Sequence, residues 1–326
     1  MRDAYPKFEA AGIKLYAVSY DDQKALCEFA EKQAIPFPLL SDLESRVIRE
    51  YGILNDRFGE EGGGLYGIPY PGVYVTDEQG VVVTKFFHDS YKKRDSPELY
   101  LDAAFGRIEL AEEAPQVSAA DPEVRITAAI HGGKGTIRQG IRRKLVLRFE
   151  LSEGLHLYGR PVPEGMVPLT VTAEGPEGLV FDEPLHPPTD ALQLPGVEGT
   201  LRVWKGSFDV AIPFYADSRL VSEMRPLDAD RVTLEIGIRY QACDDEQCLL
   251  PKTEKLSLEV PLEVVDVPRI TLADHVGHGQ RESSYDGMPH LRRYMWRAFR
   301  NSPTGMLRFV LNNIRLELAA WRRRRS

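Results

Sequence analysis

Two periodicities divide this chain. Over roughly the first 110 residues, short apolar runs alternate with segments whose apolar positions recur at helical spacing; from residue 122 to 266 only the two-residue alternation of strands remains. The first region predicts a strand over Ile13–Tyr20 and a helix over Gln23–Gln33 with Ala25, Leu26, Phe29 and Ala30 as its apolar stripe. An extended Pro36–Asp42 follows, then a short helix through Val47, Ile48 and Tyr51 that stops at Gly52. A glycine-rich loop (Gly59–Gly67) leads to a strand at Val73–Asp77, a tight Asp77–Gly80 turn, a strand at Val81–Phe87 and a closing helix over Pro97–Glu109. The order β-α-(α)-β-β-α is that of an α/β layer fold. After a linker at 111–121, strands are expected at Val124–Ile130, Lys144–Leu151, Leu155–Tyr158, Leu169–Thr172, Leu201–Ile212, Arg231–Tyr240 and Glu254–Val264, which predicts a β-sandwich. Residues 267–326 form a basic tail, read as two helices over Pro289–Trp321 broken at Asn301-Ser302-Pro303.

One pair of polar positions interrupts the strand pattern with chemistry. Thr233–Tyr240 alternates like a half-buried strand, and Asp244–Gln247 is a four-residue polar turn, so Cys243 and Cys248 face each other at a hairpin mouth. Opposed strand residues have Cβ atoms about 4.5–5.5 Å apart and a disulfide needs about 3.5–4.5 Å, so a small adjustment closes the bond. A redox-active dithiol, a structural staple and two unpaired thiols all fit this spacing. Zinc does not, because a structural site needs about four ligands and His275 and His278 lie beyond another strand. Cys27 sits mid-helix beside Leu26 and Phe29, where a free cysteine is expected to act as a small hydrophobe.

Composition adds limits. The chain has 326 residues, 43% hydrophobic and 28% charged, with three cysteines, so burial and not cross-linking must stabilise it. Its net charge of −8 is unevenly spread: from Arg281 onward eleven Arg against Glu282, Asp286 and Glu317 give +8, leaving −16 on residues 1–280. The acidic body disfavours nucleic acid as a partner, and only the tail suits anionic surfaces. In its second helix Leu307, Val310, Leu311, Ile314, Leu318 and Trp321 share one face, with Arg308, Arg315 and Arg322 elsewhere. That stripe predicts docking on protein, or peripheral contact with a membrane, and Arg322–Arg325 a solvated end. No apolar run approaches the ~20 residues needed to span a bilayer, and Met1–Pro6 leads into a charged segment without a signal-peptide core. Taken literally, the start predicts a soluble chain that is not exported. The pattern asks for no cofactor.

The wording Ala17–Asp21, Pro36–Asp42, Tyr51-Gly52-Ile53 and Gly67–Asp77, in this order, resembles the thioredoxin-like redoxin family that includes alkyl hydroperoxide reductase/thiol-specific antioxidant proteins, over about residues 4–107. The resemblance implies a reactive cysteine on an initial strand–loop–helix, upstream of everything here, with residues 2–11 as the latter half of that helix. The missing strand would lie between Ile13–Tyr20 and Val73–Asp77, so the expectation is a chain shortened at its N-terminus by a misplaced start. Peroxiredoxins carry an Arg where Pro71 stands, and the resemblance to thioredoxin-like oxidoreductases implies a cis Tyr70–Pro71 bond with Pro71 at the partner-binding surface. A peroxidase is therefore expected only of a longer parent.

Leu155–Tyr158, Trp204–Phe208 and the stretch Tyr240-Gln241-Ala242-Cys243…Cys248-Leu249-Leu250-Pro251 resemble the N-terminal domain of the thiol:disulfide interchange protein DsbD, over about 124–265. That resemblance implies an immunoglobulin-like sandwich whose two cysteines relay reducing equivalents to thiol/disulfide-exchanging partners, in an extracytoplasmic setting. It places His156, Tyr158 and Trp204 among the partner-binding residues near the pair, and by position puts a cap loop at Leu192–Thr200. The family often has five residues between its cysteines; this chain has four. Asp244, Asp245 and Glu246 disfavour thiolate on either sulfur and favour an electropositive partner. The expectation is an incomplete thioredoxin-like unit (1–110), a linker (111–121), a sandwich (122–266) and a basic helical tail (267–326), acting in thiol–disulfide exchange through Cys243 and Cys248. The rival is a non-catalytic binding module with a structural disulfide.

Overall fold

The computed structural model describes residues 1–56, 67–88, 93–119, 121–194, 199–217, 220, 230–244, 246–263, 265–269, 280–286 and 288–301, together with 303, 304, 307 and 311. The α/β half opens with α1 (Tyr5–Ala10), β1 (Ala17–Ser19) and α2 (Gln23–Gln33), whose N-cap Asp22 accepts the Ala25 N–H at 2.8 Å. Next come β2 (Leu39–Ser41) and α3 (Arg46–Glu50), started by the Asp42 carboxylate, which takes the N–H groups of Arg46 and Ile48. β3 (Gly72–Thr76) and β4 (Val82–Phe87) form a hairpin closed by Asp77, whose carboxylate accepts from Gln79 and Val81. β5 (Arg94–Asp95) and α4 (Pro97–Phe105) complete the unit; Gly106, at φ +67°, ends α4 before the expected Glu109.

β1 pairs in parallel with β2, and β3 pairs only with β4, so no described strand joins the two sheets. Ala4, Phe8 and Tyr100 pack with Val73, Val75 and Phe86 into one small core. Val18 and Leu40 on the other pair, and Tyr16 just before it, stay exposed.

The all-β part begins earlier than expected. Residues 116–119, read as linker, form β6 (Gln116–Ala119), which pairs with β7 (Val124–His131). One layer runs β11 (Leu179–Phe181), β14 (Ser207–Ala216), β8 (Ile141–Leu151), β7, β6. The facing layer is β10 (Thr170–Glu174), β15 (Arg231–Tyr240), β17 (Lys252–Pro261). A four-stranded flank follows: β12 (Asp190–Leu192), β13 (Leu201–Lys205), β9 (His156–Tyr158), β16 (Ala242–Cys243). Alternation builds the core: Val124, Ile126 and Ala128 from β7, and Leu145, Leu147 and Phe149 from β8, meet Leu234, Ile236 and Ile238 from β15 and Leu256 and Leu258 from β17. The single strand expected over Leu201–Ile212 is two strands. Gly206, at φ +64°, takes the chain from β13 in one sheet to β14 in the other, and a continuous strand cannot pair in both.

The outer face of the large sheet carries the junction between the halves. His131 and Lys144, opposite each other on β7 and β8, both bind Asp102 of α4, at 2.9–3.0 and 2.7 Å. Glu98 of α4 accepts from Lys7 and from the Gly133 N–H, each at 2.6 Å, and β5 extends β8 in parallel. Gly132 is needed there: at φ +110° a Cβ would stand 2.3 Å from the buried Ser96 Oγ.

In the tail, β18 (Val265–Arg269) and β19 (Gln280–Asp286) form a parallel pair before α5 (Met288–Asn301), so the region is not helical throughout. Arg293 of α5 pairs with Glu28 of α2, while Trp296 and Phe299 stack and stay exposed. The predicted second tail helix falls almost wholly outside the described residues, as do Gly59–Tyr66, Asp245, His275 and His278. No described helix is long and apolar enough to cross a membrane.

Candidate functional site

β15 alternates exposed and buried residues to its end at Tyr240, and the chain then turns through Gln241 into the short β16. Asp244 closes the loop: its carboxylate accepts the N–H groups of Glu246 (2.8 Å) and Gln247 (2.7 Å), and its own N–H donates to the Gln247 carbonyl (2.9 Å). Those two backbone donors, Gln247 foremost, hold the Asp244 carboxyl below the ordinary carboxylate range, so the loop keeps its negative charge beside the sulfurs. Cys243 and Cys248 are cross-strand partners with Cα atoms 4.0 Å apart, joined by a disulfide.

The two sulfurs differ in surroundings. Cys243 is 0% exposed and packs with Tyr158, Leu201 and Val203, against which Val162, Met166, Leu192 and Leu194 lean. Cys248 is exposed, and two residues on, Leu250 is 84% exposed. The buried Tyr158 hydroxyl lies 3.8 Å from Cys248 Sγ and 3.2 Å from His156 Nε2. Burial pushes the Tyr158 phenol up, so at neutral pH it is a neutral hydroxyl able to donate. His156 is held directly beside Cys243 in the β9–β16 register.

The remaining predicted residues lie elsewhere. Trp204 is 6% exposed, stacked between His186 (5.3 Å) and Phe208 (5.4 Å), with Nε1 donating to the Pro187 carbonyl at 3.0 Å. It is thus part of the core, since β13 turns it inward. Pro71 stands just before β3 in the α/β half, and Tyr70–Pro71 is not cis; the cis bond among the described residues is Arg160–Pro161. Cys27 is exposed on α2, contrary to the expected packed role, because the buried side of that helix is set by Ala25 and Leu26. Of the proposed cap loop, Leu192 and Leu194 lean on the cluster that holds Cys243; residues 195–198 lie outside the described set. Gln241 and Met166 escaped the sequence reading as site residues, although Gln241 belongs to the stretch that carried the resemblance.

The structure thus sets an α/β segment before a disulfide-bearing sandwich. Residues 1–85 match the AhpC/TSA family model, and residues 134–260 match the model described as thiol:disulfide interchange protein DsbD, N-terminal. Both resemblances read from the sequence are thereby borne out, and with them the two-part fold class. The chloroplastic Peroxiredoxin Q of Populus jackii is 35% identical over 101 residues, 31% of this chain and 42% of that protein. The chain spans less than half the length of the curated relatives it matches. Among solved structures, the N-terminal periplasmic domain of ScsB from Proteus mirabilis is similar at 17% identity and TM-score 0.31, covering 46% of this chain and 52% of that one. The reduced DsbD N-terminal domain of Neisseria meningitidis is similar at 13% identity and TM-score 0.25, covering 47% and 90%.

Proposed function

We propose that this protein is a thiol–disulfide exchange relay whose working centre is the Cys243–Cys248 pair. The observation that carries the reading is the asymmetry of the pair, with one sulfur buried and one open to a partner. A partner thiolate attacks Cys248 Sγ, a mixed disulfide forms, and the S–S electron pair leaves on Cys243 Sγ, which then takes up a proton. A second partner thiolate attacks the partner's own sulfur in that mixed disulfide, releasing Cys248 as the other thiol; the partner ends oxidised and the pair reduced. In the reverse direction Cys248 thiolate attacks a disulfide and Cys243 resolves the intermediate. Tyr158 supports the step by donating to negative charge on Cys248 Sγ, with His156 behind it.

The acidic Asp244–Glu246 loop and the exposed Leu250 favour a partner with an apolar hollow ringed by basic groups. The likeness of residues 134–260 to the DsbD N-terminal model supports an extracytoplasmic setting and a protein partner. The redoxin-type half supports a relay in which the sandwich reduces a redoxin cysteine. Pro71 remains in this reading a partner-facing residue of that half, while Trp204 contributes by shaping the sandwich.

Equilibration of the pair with glutathione or dithiothreitol buffers tests the function. A potential near −180 to −270 mV is expected of an exchange site, and one below about −300 mV would mark a structural staple and refute it. Cys243→Ser should accumulate a mixed disulfide on Cys248; the absence of any such adduct has the same force.

A further inference from the structure

Gln241 has a buried side chain, 8% exposed, and spends both ends of its amide on the backbone. Its Oε1 accepts the Val167 N–H at 3.0 Å, and its Nε2 donates to the Leu249 carbonyl at 3.0 Å. One partner is a donor and the other an acceptor, which fixes the orientation of the amide. Leu249 follows Cys248 directly; Val167 belongs to the segment 161–168, 74 residues before Gln241 in the chain. That segment has no strand partner among the described residues and contains Pro161, Pro163 and Pro168, three residues without an N–H. Among its described hydrogen bonds donated from N–H groups, Met166 closes a turn on Pro163 at 3.2 Å and Val167 goes to Gln241. From the same segment Val162 and Met166 lean on the cluster of Tyr158, Leu201, Val203 and Cys243.

We propose that Gln241 is a positioning residue: its amide latches the 161–168 segment to the cysteine hairpin, and the latched Met166 wall keeps Cys243 out of reach so that exchange begins at Cys248. The inference rests on the exchange reading for its purpose but not for its test. With the latch in place, Cys243 stays covered and bonded to the Cys248 sulfur, which suits it to resolving the mixed disulfide.

The test uses the full chain, reduced, with iodoacetamide as probe and the two alkylation rates followed separately by peptide mass spectrometry. In the unmodified protein Cys248 should react at least about tenfold faster than Cys243. Gln241→Met keeps the length and packing of the side chain and removes both hydrogen bonds. It should raise the Cys243 rate about tenfold while the Cys248 rate stays within about twofold. Met166→Ala leaves Gln241 untouched and should raise the same ratio, so the wall is tested even if Gln241→Met fails to fold. An unchanged Cys243:Cys248 ratio in either folded variant, or an equal rise at both cysteines, overturns the latch. Alkylation reads access whether or not the pair exchanges with any protein, so a staple-like potential would sink the relay and leave this result standing.

Discussion

A relay has to remain folded with its pair reduced, and the structure gives the size of the effect. The bond closes a loop of only six residues, Cys243 to Cys248. Loop-closure entropy for six residues is roughly −7 cal/mol/K, or about 2 kcal/mol at 25 °C. Little else need change, because the hairpin keeps its own hydrogen bonds from Leu249 to Ala242 (2.8 Å) and from Asp244 to Gln247 (2.9 Å). Beneath it, Leu234, Ile236, Ile238, Leu256 and Leu258 face β7 and β8 in a core that does not depend on the sulfurs. Reduction should therefore lower the melting temperature of the β-rich transition by roughly 5–10 °C while leaving it cooperative. The assay is thermal unfolding by circular dichroism of the oxidised chain, the reduced chain and Cys248→Ser, a variant at the exposed position. The reduced chain and Cys248→Ser should coincide. A reduced chain that loses its cooperative transition, or a loss above about 4 kcal/mol, would refute the reasoning and make the bond a staple.

Other outcomes follow from single contacts. Tyr158→Phe removes the hydroxyl 3.8 Å from Cys248 Sγ, which favours the reduced form; at about 1 kcal/mol the potential should fall by roughly 20 mV, and a rise would contradict the assigned role. Asp102→Asn strips His131 and Lys144 of their shared carboxylate at the junction and should cost about 3 kcal/mol, read as a lower urea midpoint; no shift would show the junction to be ornamental. Burial pushes the Asp121 carboxyl up, but the Lys252 ammonium and the N–H groups of Glu123 and Val124 outweigh it and hold it at about 2. A depressed carboxylate contributes stability that is fully present above its unfolded value near ~3.9 and lost as pH falls through about 2. Melting temperatures between pH 5 and pH 2 should drop less in Lys252→Met than in the unmodified chain, and parallel curves would disprove the assignment.

The sequence read well where a signal is local. The helix at Gln23–Gln33 was legible because Asp22 caps it and its apolar stripe is periodic. The strand at Arg231–Tyr240 was legible because one face is buried along its whole length. Reading failed where direction or distant partners decide. Leu201–Ile212 looked like one strand because alternation continues across Gly206, and only pairing with two different sheets breaks it. Residues 116–119 looked like linker because four residues carry too short a pattern, and β7 supplies the missing information. Cys27 looked packed because it is flanked by apolar residues, but it lies off the side of α2 that Ala25 and Leu26 bury.

By itself, then, the sequence determined that a redoxin-like α/β segment precedes a sandwich and that two cysteines meet across a hairpin, since turn chemistry and two-residue alternation act between near neighbours. Only the tertiary structure decided which sulfur is reachable. Cys243 is covered by Tyr158, Leu201 and Val203, residues about 40 to 85 positions away, and Gln241 finds Val167 across 74. It likewise turned Trp204 into the core and set Asp102 between His131 and Lys144. Burial and ion pairing depend on what the rest of the chain brings to a position, which no local pattern contains.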